Sequence, residues 1–146
     1  MDPLLSSRRV ILTALKADTG VTALVPAASI YAQSVSAEVE WPFIRYGAPS
    51  DTPITAACLD GSEVAVAVHA FAKPRYDSAG AMVESAEDHC ARIAGGIRGA
   101  LHGRKLDLEG GGKVTLTFSS RQLLQDPAEA DAYHAVVNLR ARCIRE

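Results

Sequence analysis

The side chains able to do chemistry are few, and their spacing decides what they can do. The four histidines are His69, His89, His102 and His134. A metal site on a helix needs a second donor three or four residues away on the same face. Around His89 those positions hold Ser85, Ala86, Arg92 and Ile93, none of the required kind. The histidines therefore read as surface or capping groups, with His102 at a helix C-terminus, where a cation is mildly favoured. Cys90 follows His89, but successive helical residues do not face each other, so His89 cannot act as its base. Cys90 and Cys143 read as core residues. Cys58 falls in a loop, with no partner in view. Three cysteines, none spaced as CxxC, exclude a disulfide framework or zinc knuckle and fit reduced cytosolic thiols.

Three further groupings invite a chemical reading. Glu84, Glu87 and Asp88 read as a solvated helix face, with Asp88 and Arg92 spaced for an i,i+4 ion pair. Gly110-Gly111-Gly112-Lys113 has the look of a phosphate loop. It lacks the leading glycine, the following Ser or Thr, and the helix that would aim N–H groups at phosphate. A hairpin turn accounts for it. Gly95 and Gly99 form GxxxG, which means either a loosely built helix end or another chain packing closely. Arg140 and Arg142 share a strand face, with Arg145 just beyond. They form either a solvent face or an interface or lumen lining that meets phosphate or a partner's acids. No catalytic, metal-binding or cofactor-binding set is expected.

The elements that must position these residues are legible from periodicity. Asp2 caps a helix over 3–17 that opens on Pro3, with Leu4, Leu5, Ile11, Leu12 and Leu15 on its apolar side. A short strand is expected over 29–33, a polar connection over 34–40, and a second strand over 42–47 with Phe43 and Arg45 on one face. Residues 48–57, with Pro49, Asp51 and Pro53, read as a loop. The strand over 62–72 sends Val64, Val66 and Val68 one way and Ala65, Ala67 and His69 the other. Both faces are apolar, which predicts a central strand covered on both sides. A long helix is expected over 78–102, capped by Asp77 or Ser78, with Met82, Ala86, Cys90, Ile93, Ile97 and Leu101 in its buried stripe. A hairpin turn at 109–113 leads to a return strand over 113–118, then a polar loop over 119–130. The last strand, 132–145, turns Tyr133, Ala135, Val137, Leu139, Ala141 and Cys143 to the core and His134, Asn138, Arg140 and Arg142 away. The fold class is α+β: a mostly antiparallel or mixed sheet of about five strands, with an N-terminal helix and one long helix packed on it.

The bulk numbers agree. A chain of 146 residues reads as one domain and can bury roughly 68% of its unfolded surface. Apolar residues make up 48% and charged residues 22%, which excludes wholesale disorder, coiled coil and collagen. A net charge of −2 argues against a strongly electrostatic nucleic-acid binder. Met1-Asp2-Pro3 does not open a secretory signal, and no apolar run approaches the roughly 18 residues of a membrane span. Arginine outnumbers lysine 11 to 4, as protein interfaces favour and as genomic base composition also produces.

Taken in order, several segments carry a resemblance: LLSSRRVILTALKADTGVTALV, then ASIYAQ, WPFIRYG (Trp41 to Gly47), EVAVAVHAFA, the IRGAL turn (Ile97 to Leu101) and DAYHAVVNLRAR (Asp131 to Arg142). Over nearly its whole length the chain resembles the tail completion proteins of long-tailed phages and gene transfer agents, also called tail terminators or head–tail joining proteins. The resemblance implies a non-enzymatic ring, typically a hexamer, forming a single domain over 1–146. It implies assembly in bacterial cytoplasm and a place at the head-proximal end of the virion tail. Its expected partners are further copies of itself, the tail tube protein, a head connector or stopper, and DNA passing through the lumen without sequence reading, with no membrane. The family supplies no catalytic residue, metal or cofactor. Candidate assembly or lumen contacts are Arg45, Asp51, Arg121, Asp126, Arg140 and Arg142. The thin alanine face of the 62–72 strand departs from the expected bulk and leaves open which face meets a neighbour. The competing readings are a head-side stopper or adaptor, and an unrelated small enzyme using Cys58 or His69.

Overall fold

The structure, a computed structural model, describes residues 2–35, 38–56 and 58–145. Residues 36 and 37 of the expected polar connection, residue 57 of the expected 48–57 loop, and Met1 lie outside the described residues.

Helix α1 (Pro3–Ala17) starts where expected: the Asp2 carboxylate accepts from the N–H groups of Leu4 and Leu5. Its buried residues are Ser6, Ser7, Ile11 and Leu15, with Leu4 and Leu12 only partly covered. The apolar stripe is thus rotated toward two serines, and Ser7 Oγ satisfies itself on the Pro3 carbonyl. A short helix α2 (Thr19–Thr22) and a 3-10 turn (Ala27–Ser29) lead into β1 (Ile30–Tyr31). Next come β2 (Phe43–Tyr46), β3 (Ser50–Pro53) and β4 (Gly61–Ala72). A small hairpin, β5 (Arg75–Tyr76) and β6 (Met82–Glu84), precedes α3 (Ala86–Leu101). The chain ends with β7 (Lys105–Asp107), β8 (Lys113–Gln125) and β9 (Tyr133–Ile144).

Seven strands form one sheet in the order β1-β2-β4-β9-β8-β7, with β3 also paired to β4. Only β1–β2 is parallel. β2 and β3 lie end to end along one edge of β4, because β2 pairs with residues 68–71 and β3 with residues 62–65. The fold is α+β as expected, with seven strands rather than about five. The core lies between the sheet and the helices: Val64, Val66, Val68, Val137, Leu139 and Ala141 meet Ile11, Leu15, Cys90, Ile93 and Ile97.

Four expectations are corrected. The 48–57 segment is not all loop, since Ser50–Pro53 is an exposed edge strand. The long helix starts at Ala86, not 78. Asp77 caps a turn by accepting from Ala79 and Ala81, Gly80 takes φ +83°, and the chain folds back as β5–β6. Ser85 caps the helix by accepting from Asp88 N–H, and Met82 is 56% exposed rather than buried. Sixteen residues make this helix about 24 Å long. The polar segment 119–130 begins as strand: β8 continues to Gln125 after a bulge between Phe118 and Ser120. Finally, the alanine face of β4 is uncovered, with Ala65 exposed and Ala67 half-buried. Helices α1 and α3 pack on the valine side.

The triple glycine behaves as expected. Gly110, Gly111 and Gly112 all have positive φ, which only glycine adopts without strain, and Gly112 O accepts from Leu108 N–H.

Candidate assembly face

Strand alternation turns one side of the sheet away from the helices. β2 contributes Phe43 and Arg45 to it, and these lie opposite Phe71 and His69 of β4. β4 also contributes Glu63, Ala65 and Ala67. β9 contributes His134, Asn138, Arg140 and Arg142, opposite Phe71, Ala67, Ala65 and Glu63 respectively. The alternation expected for β9 holds: Ala135, Val137, Leu139, Ala141 and Cys143 are buried, and Arg140 and Arg142 are exposed.

This face brings together three of the six candidate residues. Arg45 packs its guanidinium 5.6 Å from the centre of the Phe71 ring. Arg140 reaches Glu63 at 3.7 Å, a loose pair with both side chains largely in solvent. Such exposed pairs contribute little stability. Arg140, Ala65, Ala67, Asn138 and Ser50 line a hollow of about 230 Å³.

The other three candidates lie elsewhere. Arg121 belongs to the helix side of β8, opposite Val137, with one guanidinium nitrogen beside Gly95 of α3. Asp51 sits on edge strand β3, opposite Val64, and is exposed. Asp126 organises the β8–β9 turn, accepting from Ala128 N–H while its own N–H bonds Ala132 O.

At one end of the open face is a ring cluster. Phe43, Phe71 and His134 stack nearly parallel, with centroids 4.6 and 4.3 Å apart. Trp41 packs edge-on against Phe43, and Lys73 Nζ lies 4.7 Å from the centre of the Trp41 ring. His69 Nδ1 and His134 Nε2 are 2.6 Å apart. At that distance one ring donates and the other accepts, so the pair cannot hold two added protons without an N–H to N–H clash. Burial pushes His69 down to about 4, with His134 and Arg45 adding to the effect. His134 is also lowered, by burial first, against the pull of Asp126 and with a further push from Arg45. The pair was not foreseen. The two histidines are 65 residues apart, and only the β4–β9 register joins them.

The remaining candidates for chemistry are structural. His89 is buried, not on the surface, and its Nδ1 donates to Lys73 O. His102 ends α3, where its Nδ1 accepts from Phe118 N–H. Arg92 pairs with Glu84 across the hairpin–helix junction at 2.8 and 2.9 Å, rather than with Asp88. That bidentate bond holds the Glu84 carboxyl down to about 2. Burial pushes the thiols of Cys90 and Cys143 up, to about 12 and about 11, while Cys58 is exposed. One surface depression of about 440 Å³ sits between the start of α1 and residues 48–49, and its Asp2 is already committed as a helix cap. Among the described residues, no three histidine, cysteine or acidic side chains gather to hold a metal ion. Among the same residues, no helix is long and apolar enough to cross a membrane.

Comparison with known proteins fits this fold. The family model described as "Tail completion protein gp17" matches residues 9–144. No curated protein sequence matches. Among solved structures, a chain of the virion of a native gene transfer agent particle superposes with a TM-score of 0.77 at 17% identity. The match covers 97% of this chain and 96% of that one. At that identity the likeness is one of fold.

Proposed function

The chain belongs to the tail completion protein gp17 family, and from that premise we propose that it is a single tail-terminator-like domain whose copies close into a ring, a hexamer, at the head-proximal end of the tail. Membership makes it a structural protein of the virion tail rather than an enzyme. In the proposed assembly the ring caps the tail tube, meets the head connector or stopper on its other side, and lets DNA pass through its centre.

The observation that carries this reading is the bare sheet face. A seven-stranded sheet has α1 and α3 packed on one side, and on the other side Ala65 and Ala67 leave a shallow hollow on a face that also carries Arg45, Arg140 and Arg142. Small side chains let another surface approach closely. Arginine beside them suits contact with phosphate oxygens, which carry no sequence information. The face is proposed to look into the lumen. In this reading Asp51 on its edge strand and Asp126 in its turn shape the rims of the subunit, and Arg121 braces β8 on α3.

Retention of the purified protein on immobilised tail tube protein, compared with immobilised head connector protein, tests the reading. Capture by the tube protein is expected. Capture by the connector alone would replace it with a head-side stopper or adaptor.

A further inference from the structure

The two edges of the large sheet are built differently. On one side β3 is four residues long and carries Asp51 and Pro53, features that discourage another strand from pairing. On the other side β7 covers only residues 113–115 of β8. Leu116 N–H then bonds Arg104 O, and Phe118 N–H bonds His102 Nδ1. From Ser119 to Gln125, no strand pairs with the outer edge of β8 among the described residues. That is seven residues of strand, about 23 Å, with Leu123 41% and Leu124 40% exposed. An edge left open over this length, with two exposed leucines in an otherwise polar segment, is a template for another strand.

The same chain holds a strand pair with no third member. The β5–β6 hairpin forms a separate two-stranded sheet, and Tyr76, Met82 and Val83 are 57%, 56% and 56% exposed. Two strands alone are marginal in water, and a third strand or a packed face is what stabilises them. The Arg92–Glu84 ion pair ties this hairpin to α3 and Arg75–Glu84 joins its two strands, so it is held in place with its apolar side chains outward.

The hairpin and the open edge sit at the same end of the sheet. Ala72, the last residue of β4, lies opposite Tyr133, which lies opposite Gln125, the last residue of β8. The hairpin starts three residues after Ala72, and Lys73 reaches Glu129 of the β8–β9 turn at 3.5 Å. The two features nevertheless belong to different sheets within one chain: the hairpin pairs with no strand of the large sheet and follows β4, which stands two strands from β8 in the sheet order. Rotation about a ring axis leaves height along the axis unchanged. With the axis along the strands, two features at one height but on different flanks are what a head-to-tail contact requires.

We propose that the open edge of β8 is met around Leu123 and Leu124, in the assembled protein, by the β5–β6 hairpin of a second copy. The inference rests on the ring reading above and names its subunit contact. Each copy gives its hairpin to one neighbour and receives a hairpin from the other. Leu123 and Leu124 meet Tyr76, Met82 and Val83 across the junction.

The test uses full-length protein carrying Cys58→Ser, with Val83→Cys and Leu123→Cys placed singly and together, assembled with purified tail tubes and treated with a short bismaleimide. The doubly substituted protein is expected to give a ladder of cross-linked chains, and a mixture of the two single variants to give dimers. Each single variant alone is expected to give none. As a second readout, Val83→Lys is expected to weaken assembly more than tenfold and Leu123→Glu to restore it, with the circular dichroism of the free protein unchanged. An intact ring without cross-links would overturn the contact and leave the ring standing. Cross-linking of Leu123→Cys to tube protein instead would assign the edge to the tube and overturn the proposal. Parent protein that forms no oligomer even with tubes would remove the ring reading, and this inference with it.

Discussion

His69 Nδ1 lies 2.6 Å from His134 Nε2 on the sheet face that no helix covers. Both rings are held below the ordinary histidine range, His69 at about 4. The folded state therefore binds fewer protons than the unfolded chain, whose histidines titrate near 6.5. The stability that follows is present above about pH 6.5 and is lost as the pH falls toward 4. Because the rings are only partly buried, the loss is on the order of 1 kcal/mol. Urea unfolding at pH 7.5, 6.0 and 5.0 is expected to show this decline, and His134→Gln to flatten it. The comparison isolates the pair from Glu84, whose own contribution disappears only below its unfolded value, near pH 4.5.

The thiols divide sharply. Cys90 and Cys143 are fully buried and raised by burial, whereas Cys58 is exposed. A thiol reagent on the native protein is expected to modify one cysteine of three, and Cys58→Ser to abolish the reaction. Fast modification of Cys90 would mean that the α3–sheet packing opens.

The Glu84–Arg92 bond joins hairpin to helix at the surface. Glu84→Ala is expected to cost about 0.5–1 kcal/mol. Its larger effect is local, since hydrogen exchange over residues 75–84 should quicken while α3 beyond its first turn stays protected.

Arg140 and Arg142 are exposed, so Arg140→Glu with Arg142→Glu is expected to change folding stability by about 0.5 kcal/mol or less per site. The same double reversal is expected to lower the yield of infectious or gene-transferring particles at least tenfold. Normal yield would detach this face from assembly and DNA passage.

Where periodicity runs unbroken, the fold was legible. The α1 boundaries, the β9 alternation and the triple-glycine turn all stand, because caps, a two-residue repeat and positive-φ positions are local signals. Where a local signal ends one element and the apolar spacing runs on, it was not. Met82 stands four residues before Ala86 and extends the helical stripe backward, although Gly80 and the Ser85–Asp88 cap mark the true start. The bulge at Phe118 and Ser120 breaks the alternation and disguises the rest of β8 as loop. Pro49 and Pro53 do the same for β3.

Of the six candidate contacts, Arg45, Arg140 and Arg142 share a face because strand parity placed them there. Arg121 crosses to the helix side because the bulge shifts that parity. The histidine pair depends on β4 and β9 lying side by side in one register, which no local pattern encodes.

The central claim is that copies of this chain close into a ring at the end of a tail tube. Light scattering of the protein over a concentration series, alone and with purified tail tubes, tests it most directly. The account predicts a discrete species near 92 kDa, six times the 15.4 kDa chain, in free solution or bound at tube ends. Protein that stays at the mass of one chain and leaves tube ends bare at every concentration would contradict it.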